Sequence, residues 1–241
     1  MVINIMGPRI ITLEHLDMLH VVFRGYRSQE GFAFLFRGQA DDAWDVLPKA
    51  GRKDFLLPDN RDLGRFLAWS RQAVAYTTLP SNDLEMLAIA QHHGLATRLL
   101  DWTMNPLVAC FFACSECPKK DGAVYIVETP DQVVSEEHTL DNLKNLTGVY
   151  AYLPKSVSPR LLNQKGVFTI HCDASQKIAA KESRLTKGMP NLVILKIPAG
   201  LKFSIIKHIE DYGVDRSVLF PDLDGLSALV NQKTIRIEKD T

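Results

Sequence analysis

Gln91-His92-His93-Gly94-Leu95-Ala96-Thr97-Arg98-Leu99-Leu100-Asp101-Trp102-Thr103 is the stretch on which the reading of this chain turns, because it lies between two clear helix signals. Upstream, Asn82 followed three residues later by Glu85 resembles a helix-opening capping box with Asn in the usual Ser or Thr position. Leu84, Leu87, Ala88 and Ile89 then supply an apolar face, and Gly94 is a natural stop. Downstream, Asn105-Pro106 puts a good N-cap before proline at the first helical position. The helix that follows, residues 107 to about 114, is apolar nearly all round and is expected to be buried. A helix end, a glycine break and a second helix start therefore converge on one dense group of polar side chains.

Working outward, residues 32–36 form a short aromatic-rich apolar run that predicts a buried strand, with Arg37-Gly38-Gln39 at its end. A polar turn, Ala40-Asp41-Asp42, follows. Residues 59–76 carry Leu63, Phe66, Leu67, Val74 and Ala75 at spacings that suit an amphipathic helix. Strands are expected over residues 122–127, 166–171, 192–197 and 202–206, a last helix opening at Phe220-Pro221-Asp222, and a sheet-edge strand over 234–238. Strands and helices mix without a strict βαβ alternation. This predicts an α+β fold: one domain over residues 1–241, with a mixed or split antiparallel sheet and flanking helices.

Composition sets the outer bounds. With 241 residues, 46% of them hydrophobic, the chain can bury a full core. Its 28 basic and 28 acidic residues cancel, so it lacks the electrostatic footprint of a general nucleic-acid binder. No apolar run approaches the roughly 20 residues that span a bilayer. The opening Met1-Val2-Ile3-Asn4-Ile5 has no basic region or signal-peptide core, so a cytoplasmic location and no membrane partner are expected. Cys110, Cys114 and Cys117 could share one side of a helix and invite a metal. Their apolar setting instead suits reduced cysteine as a small hydrophobe, and no metal site is expected.

Two clusters could carry chemistry. Arg37 offers a rigid fork of donors suited to phosphate or carboxylate, and Gly38 after it would let a ligand approach the backbone. Equally, Arg37 could pair with Asp41 or Asp42 and pin a turn. In the second cluster, His92 and His93 are adjacent and cannot share one helix face, so one can turn to the core and the other to a cleft. Asp101 near a histidine could orient it for proton transfer. Alternatively, Arg98 and Asp101 form a plain salt bridge, or Asp101 or Thr103 caps the helix near Pro106. The density of polar groups in apolar sequence favours a site. There is no phosphate-cradling Gly-rich loop, no G-x-S-x-G elbow and no zinc-protease signature.

Phe36-Arg37-Gly38-Gln39, then Trp44, Leu47-Pro48 and Arg52, resembles the opening of the FRG domain, named for Phe-Arg-Gly. Residues 91–103, then Asn105-Pro106 and Ala109, resemble that family's longest motif, with Ala96 where proline is expected. Residues 164–169 and 219–226 are similar to its later motifs. A weaker resemblance, in the order of elements, is to ADP-ribosyltransferase folds, where an arginine after the first strand helps hold NAD and a Ser/Thr strand precedes a short helix. That resemblance implies NAD as a ligand, with Arg37 matching the arginine and Thr103 the Ser/Thr position. The family's catalytic Glu has no match: Gln164 stands nearby and Gly166 occupies its place.

The resemblance implies catalytic roles for Asp101, His92, His93 and Thr103. It implies ligand-binding roles for Arg37, Gly38, Gln39, Gln91, Arg98, Trp102, Gln164 and Asp222, with a nucleotide or a protein acceptor as partner. Reaction at the nicotinamide ribose passes through an oxocarbenium-like state, which a carboxylate, Asp101 or Asp222, would stabilise. The alternative is a non-enzymatic ligand- or protein-binding module, such as a sensor in bacterial or phage defence or in stress, and the missing Glu favours it. Sequence leaves the oligomeric state open.

Overall fold

The strands are β1 (Arg9–Thr12), β2 (Phe34–Gln39), β3 (Leu99–Thr103), β4 (Gly122–Glu128), β5 (Val149–Tyr152), β6 (Gly166–His171) and β7 (Val193–Ile197). They form one mixed sheet in the order β1-β7-β4-β2-β3-β6-β5. Among the described residues only β1 and β7 run parallel, and the other pairings are antiparallel. The helices are α1 (Met18–Arg27), α2 (Asp62–Ala73), α3 (Asp83–His92), α4 (Pro106–Cys114), α5 (Leu140–Leu143), α6 (Pro159–Asn163), α7 (Lys202–Asp211), α8 (Arg216–Leu219) and α9 (Leu223–Lys239). This computed structural model describes residues 9–27, 34–59, 61–128, 134, 139–143, 147–155, 158–178 and 192–239. The fold is α+β, as expected. Among the described residues, no helix is long and apolar enough to cross a membrane.

The sheet is split in its middle. β2 pairs with β4 over its whole length, and β3 with β6 likewise. Between β2 and β3 the register holds a single pair, Phe36 with Thr103. Side chains alternate along a strand and paired residues share a face, so Phe36, Leu99, Asp101, Thr103, Phe168 and Ile170 all point to one side. On that side two apolar cores sit next to each other. Phe36, Val124, Ile126 and Leu195 pack under α1, α4 and α7 on one half. Leu99, Phe168 and Ile170 pack under α2 and α3 on the other. The gap between α3 and α4 opens above the split, and Asp101 stands on the floor of that gap.

Local signals place the two helices that frame it. The Asn82 carboxamide oxygen accepts from the Leu84 and Glu85 amides at 2.9 and 3.0 Å and starts α3. Gly94 takes φ +88°, the left-handed region that glycine enters without penalty. The Leu95 amide then returns to the Ala90 carbonyl at 3.0 Å and closes the helix. Asn105 caps α4 by accepting from the Leu107 amide at 3.0 Å, with Pro106 in the first turn. Thr103 and Asp101 do not cap α4; the Thr103 hydroxyl instead accepts from the Asn105 amide at 3.0 Å.

Several expectations need correction. The strand expected over 32–36 is β2, with Phe32 and Ala33 outside the described residues, and it includes Arg37-Gly38-Gln39 rather than ending before them. Gly38 does not leave room for a ligand on its Cβ side. A Cβ there would lie 1.9 Å from the Ala109 carbonyl oxygen and 2.7 Å from the Ala113 amide nitrogen, so the missing side chain lets α4 press directly onto β2. Residues 202–206 are not a strand but the start of α7, because Lys202, Ile205, Ile206 and Ile209 recur at helical spacing and bury together. Residues 234–238 belong to α9, where the Thr234 hydroxyl donates to the Val230 carbonyl one turn back at 2.9 Å. Leu63 and Phe66 of α2 bury as expected, but Leu67, and Val74 just past the helix end, are exposed.

Candidate functional site

The gap between α3 and α4 holds a pocket of about 330 Å³, at the lower end of the roughly 300–1,000 Å³ typical of small-molecule sites. Its floor is β3 and the end of β2. Its walls come from α3, α4 and α6 and from the 3-10 turn Lys49–Gly51. Arg37 follows Phe36 on β2 and so starts from the opposite face of the sheet, lining the pocket at the split with its side chain only 13% exposed. Its Nη1 donates to the Asp101 carbonyl oxygen at 2.7 Å, and its Nε donates to the Gln39 Oε1 at 3.3 Å. Gln39 in turn donates from Nε2 to the Trp44 carbonyl at 2.9 Å, so the guanidinium is held in one orientation. The turn-pinning alternative does not hold: Asp42 pairs with Lys196 at 2.8 Å, and Asp41 accepts from the Ala43 amide.

Asp101 is the hinge of the site. Its Oδ1 accepts from Gln91 Nε2 at 2.9 Å, and its Oδ2 lies 3.9 Å from Arg37 Nη1, while two thirds of the side chain stays open to solvent. Gln91 is itself oriented by the Thr97 hydroxyl, which donates to its Oε1. Arg37, Asp101, Gln91 and Thr97 thus form one continuous polar chain across the split. Desolvation by burial, the largest influence, and the neighbouring Arg52 pull the Arg37 pKa below its usual value, while Asp101 opposes them. Guanidinium starts so high that Arg37 stays a cation.

Phe36-Arg37-Gly38-Gln39 and the run from Gln91 to Thr103 come together around one pocket. Residues 32–122 match the FRG domain family. Comparison with curated proteins and with solved structures finds no match. The FRG match runs through β2, α2, α3, β3 and α4 and so supplies the floor and two walls of the pocket. Gln164 and the run from Leu219 to Leu226 lie beyond it.

Of the residues singled out from sequence, Arg37, Gly38, Gln91, His92, Asp101, Trp102, Thr103 and Gln164 line the pocket. Gln39, His93, Arg98 and Asp222 do not. Gln39 acts behind Arg37, as above. His93 is exposed next to His92, with ring centroids 5.1 Å apart. Asp222 accepts from the Gly225 amide at 2.7 Å at the start of α9, outside the lining. Arg98 is buried completely: its Nε and Nη2 grip both oxygens of Asp62 at 2.9 and 2.7 Å, and its Nη1 donates to the Cys172 carbonyl at 2.8 Å. Its partner is Asp62, not Asp101, and it ties α2 to the sheet rather than facing a ligand.

Two lining residues inside the FRG match or beside it are already engaged. The Thr103 hydroxyl donates to the Gln164 carbonyl at 2.6 Å, and Gln164 Nε2 donates to the Leu219 carbonyl at 2.9 Å. Both therefore knit the pocket wall. His92 stands at the rim, its pKa lowered by desolvation and then by Arg160 and His93, which favours the neutral ring. Among the described residues no group of three His, Cys, Asp or Glu side chains could hold a metal, and Cys110, Cys114, Cys117 and Cys172 are free thiols.

Sequence reading missed Lys49, Arg52 and Arg160 as lining residues. Lys49 and Arg52 lie three apart just after Pro48, a spacing that puts both on one side of a turn. Arg160 follows Ser158-Pro159, a cap-and-proline helix start of the same kind as Asn105-Pro106.

His171, the last residue of β6, gives the fold a pH dependence. It is buried, its Nδ1 lies 2.9 Å from the Gln176 carbonyl, and desolvation pushes its pKa down to about 4. Unfolded, it would titrate near 6.5 and bind a proton that the folded form refuses. Stability is therefore full above pH 6.5 and falls as pH drops from 6.5 toward 4, by up to about 3 kcal/mol from this one group. Urea midpoints between pH 7.5 and 4.5 should fall accordingly. In His171→Gln that histidine share of the slope should vanish.

Proposed function

We propose that the pocket binds NAD or a related nucleotide, with Arg37 holding the diphosphate. One observation carries this reading: a buried arginine, fixed by Gln39 and the Asp101 backbone, presents its remaining donors at the split of the sheet beside a pocket walled by apolar side chains. The guanidinium suits a phosphate pair, and the apolar walls suit an aromatic base or nicotinamide ring. The volume of about 330 Å³ suits one half of a dinucleotide, leaving the other half on the open side. In its neutral form, His92 at the rim can donate or accept toward a ribose hydroxyl.

In the enzymatic form of this reading, Asp101 acts at the nicotinamide ribose. It is the one carboxylate among the lining residues, and its open face could stabilise positive charge developing at the ribose carbon. A binding module is the second reading. Gly166 stands where ADP-ribosyltransferases carry Glu, and Oδ1 of Asp101 is already bonded to Gln91. Incubation with NAD and assay of released nicotinamide separates the two. Release that disappears in Asp101→Asn supports transfer or hydrolysis. NAD binding without release supports the module.

A further inference from the structure

Arg52 enters the same pocket from the end of the turn Lys49–Gly51, and among the described residues no hydrogen bond or ion pair is made by its exposed guanidinium. Arg37 has a second η nitrogen without a protein partner among those residues. Lys49 is fixed in place, its Nζ donating to the Gly94 carbonyl at 2.8 Å and lying 5.1 Å from the centre of the Phe55 ring. Arg160 lines the pocket from α6, its guanidinium 4.5 Å from the centre of the Phe220 ring. The lining thus gathers Arg37, Lys49, Arg52 and Arg160 against the single carboxylate of Asp101. The chain as a whole carries no net charge, so this excess belongs to the pocket.

Like charges gathered around one pocket in excess of its single carboxylate destabilise the empty protein, and a bound anion reverses that cost. Arg52 is among the groups that lower the Arg37 pKa, which fits two guanidinia facing the same space. We infer that Arg37 and Arg52 form a two-arginine subsite for a phosphoanion with at least two negative charges, with Lys49 completing the positive wall. The ligand class is then a diphosphate or a similarly charged phosphate ester, and a neutral nucleoside is excluded. The inference deepens the nucleotide reading and rests on it for the organic part of the ligand.

Titrations of the full chain with inorganic pyrophosphate, ADP, NAD and adenosine test it, in wild type, Arg52→Gln and the surface control Lys119→Gln. Pyrophosphate, ADP and NAD should bind wild type and adenosine should not. In Arg52→Gln their affinity should fall about tenfold to a hundredfold, the loss of one charge-assisted contact. The melting temperature of unliganded Arg52→Gln should equal or exceed that of wild type, because a repulsion is removed. Lys119→Gln should behave as wild type. Pyrophosphate binding as tightly as ADP and NAD, still lost in Arg52→Gln, keeps the subsite and removes the nucleotide reading. Nucleotide binding undiminished in Arg52→Gln overturns the subsite and leaves the nucleotide reading standing. Equal losses in Lys119→Gln, or no binding of pyrophosphate to wild type, also overturn it.

Discussion

Asp62→Ala is expected to lower the unfolding free energy by about 3–5 kcal/mol, because it removes the carboxylate that grips the buried Arg98 guanidinium at two points. Arg98 is 0% exposed and Asp62 only 5%, and the two-point contact between them joins α2 to the strand that carries Asp101. Removing Asp62 takes away the carboxylate that holds the Nε and Nη2 of this buried guanidinium. Replacing both, as Asp62→Leu with Arg98→Met, should cost markedly less than Asp62→Ala alone, since no buried charge then remains. Urea unfolding of the three variants measures this. A single-variant loss below about 1 kcal/mol would show that the pair is dispensable.

That pair also shows where sequence reading reached its limit. Asn82, Gly94 and Asn105-Pro106 each act within a few residues of themselves, so their capping chemistry was legible, and α3 and α4 lie where those signals put them. The strands β4, β6 and β7 were equally plain, being apolar runs between breakers. By contrast, Arg98 is separated from Asp62 by 36 positions, and nothing local distinguishes a buried structural arginine from a ligand-binding one. Gly38 was misread for a related reason. A glycine after a strand residue signals close approach, but sequence does not say whether a ligand or a helix approaches, and here it is α4. The short window 202–206 failed because five residues fit a strand and a helix turn equally well. Within the candidate site, the polar run from Gln91 to Asp101 was visible as a cluster. The cations Lys49, Arg52 and Arg160 arrive from separate turns, and only the folded chain brings them to one pocket.

Arg37→Lys carries the largest expected effect on function. Lysine keeps the charge but has one nitrogen, so it cannot hold its protein partners and still offer two donors to a diphosphate. NAD affinity should fall about tenfold to a hundredfold, the 1.5–3 kcal/mol of a charge-assisted contact. Stability should change by about 1 kcal/mol at most, because the bonds to Gln39 and to the Asp101 carbonyl are net-modest interactions on a pocket wall. Were Arg37 only a brace, the order would reverse, with stability falling and no ligand effect to lose.

Calorimetric titration of the wild-type chain with NAD up to millimolar concentration, repeated on Arg37→Lys, tests the pocket's assignment most directly. Saturable heat in wild type, strongly weakened in Arg37→Lys with the melting temperature little changed, is the predicted result. No heat and no thermal shift in wild type at millimolar NAD, or equal affinity in both proteins, would contradict it.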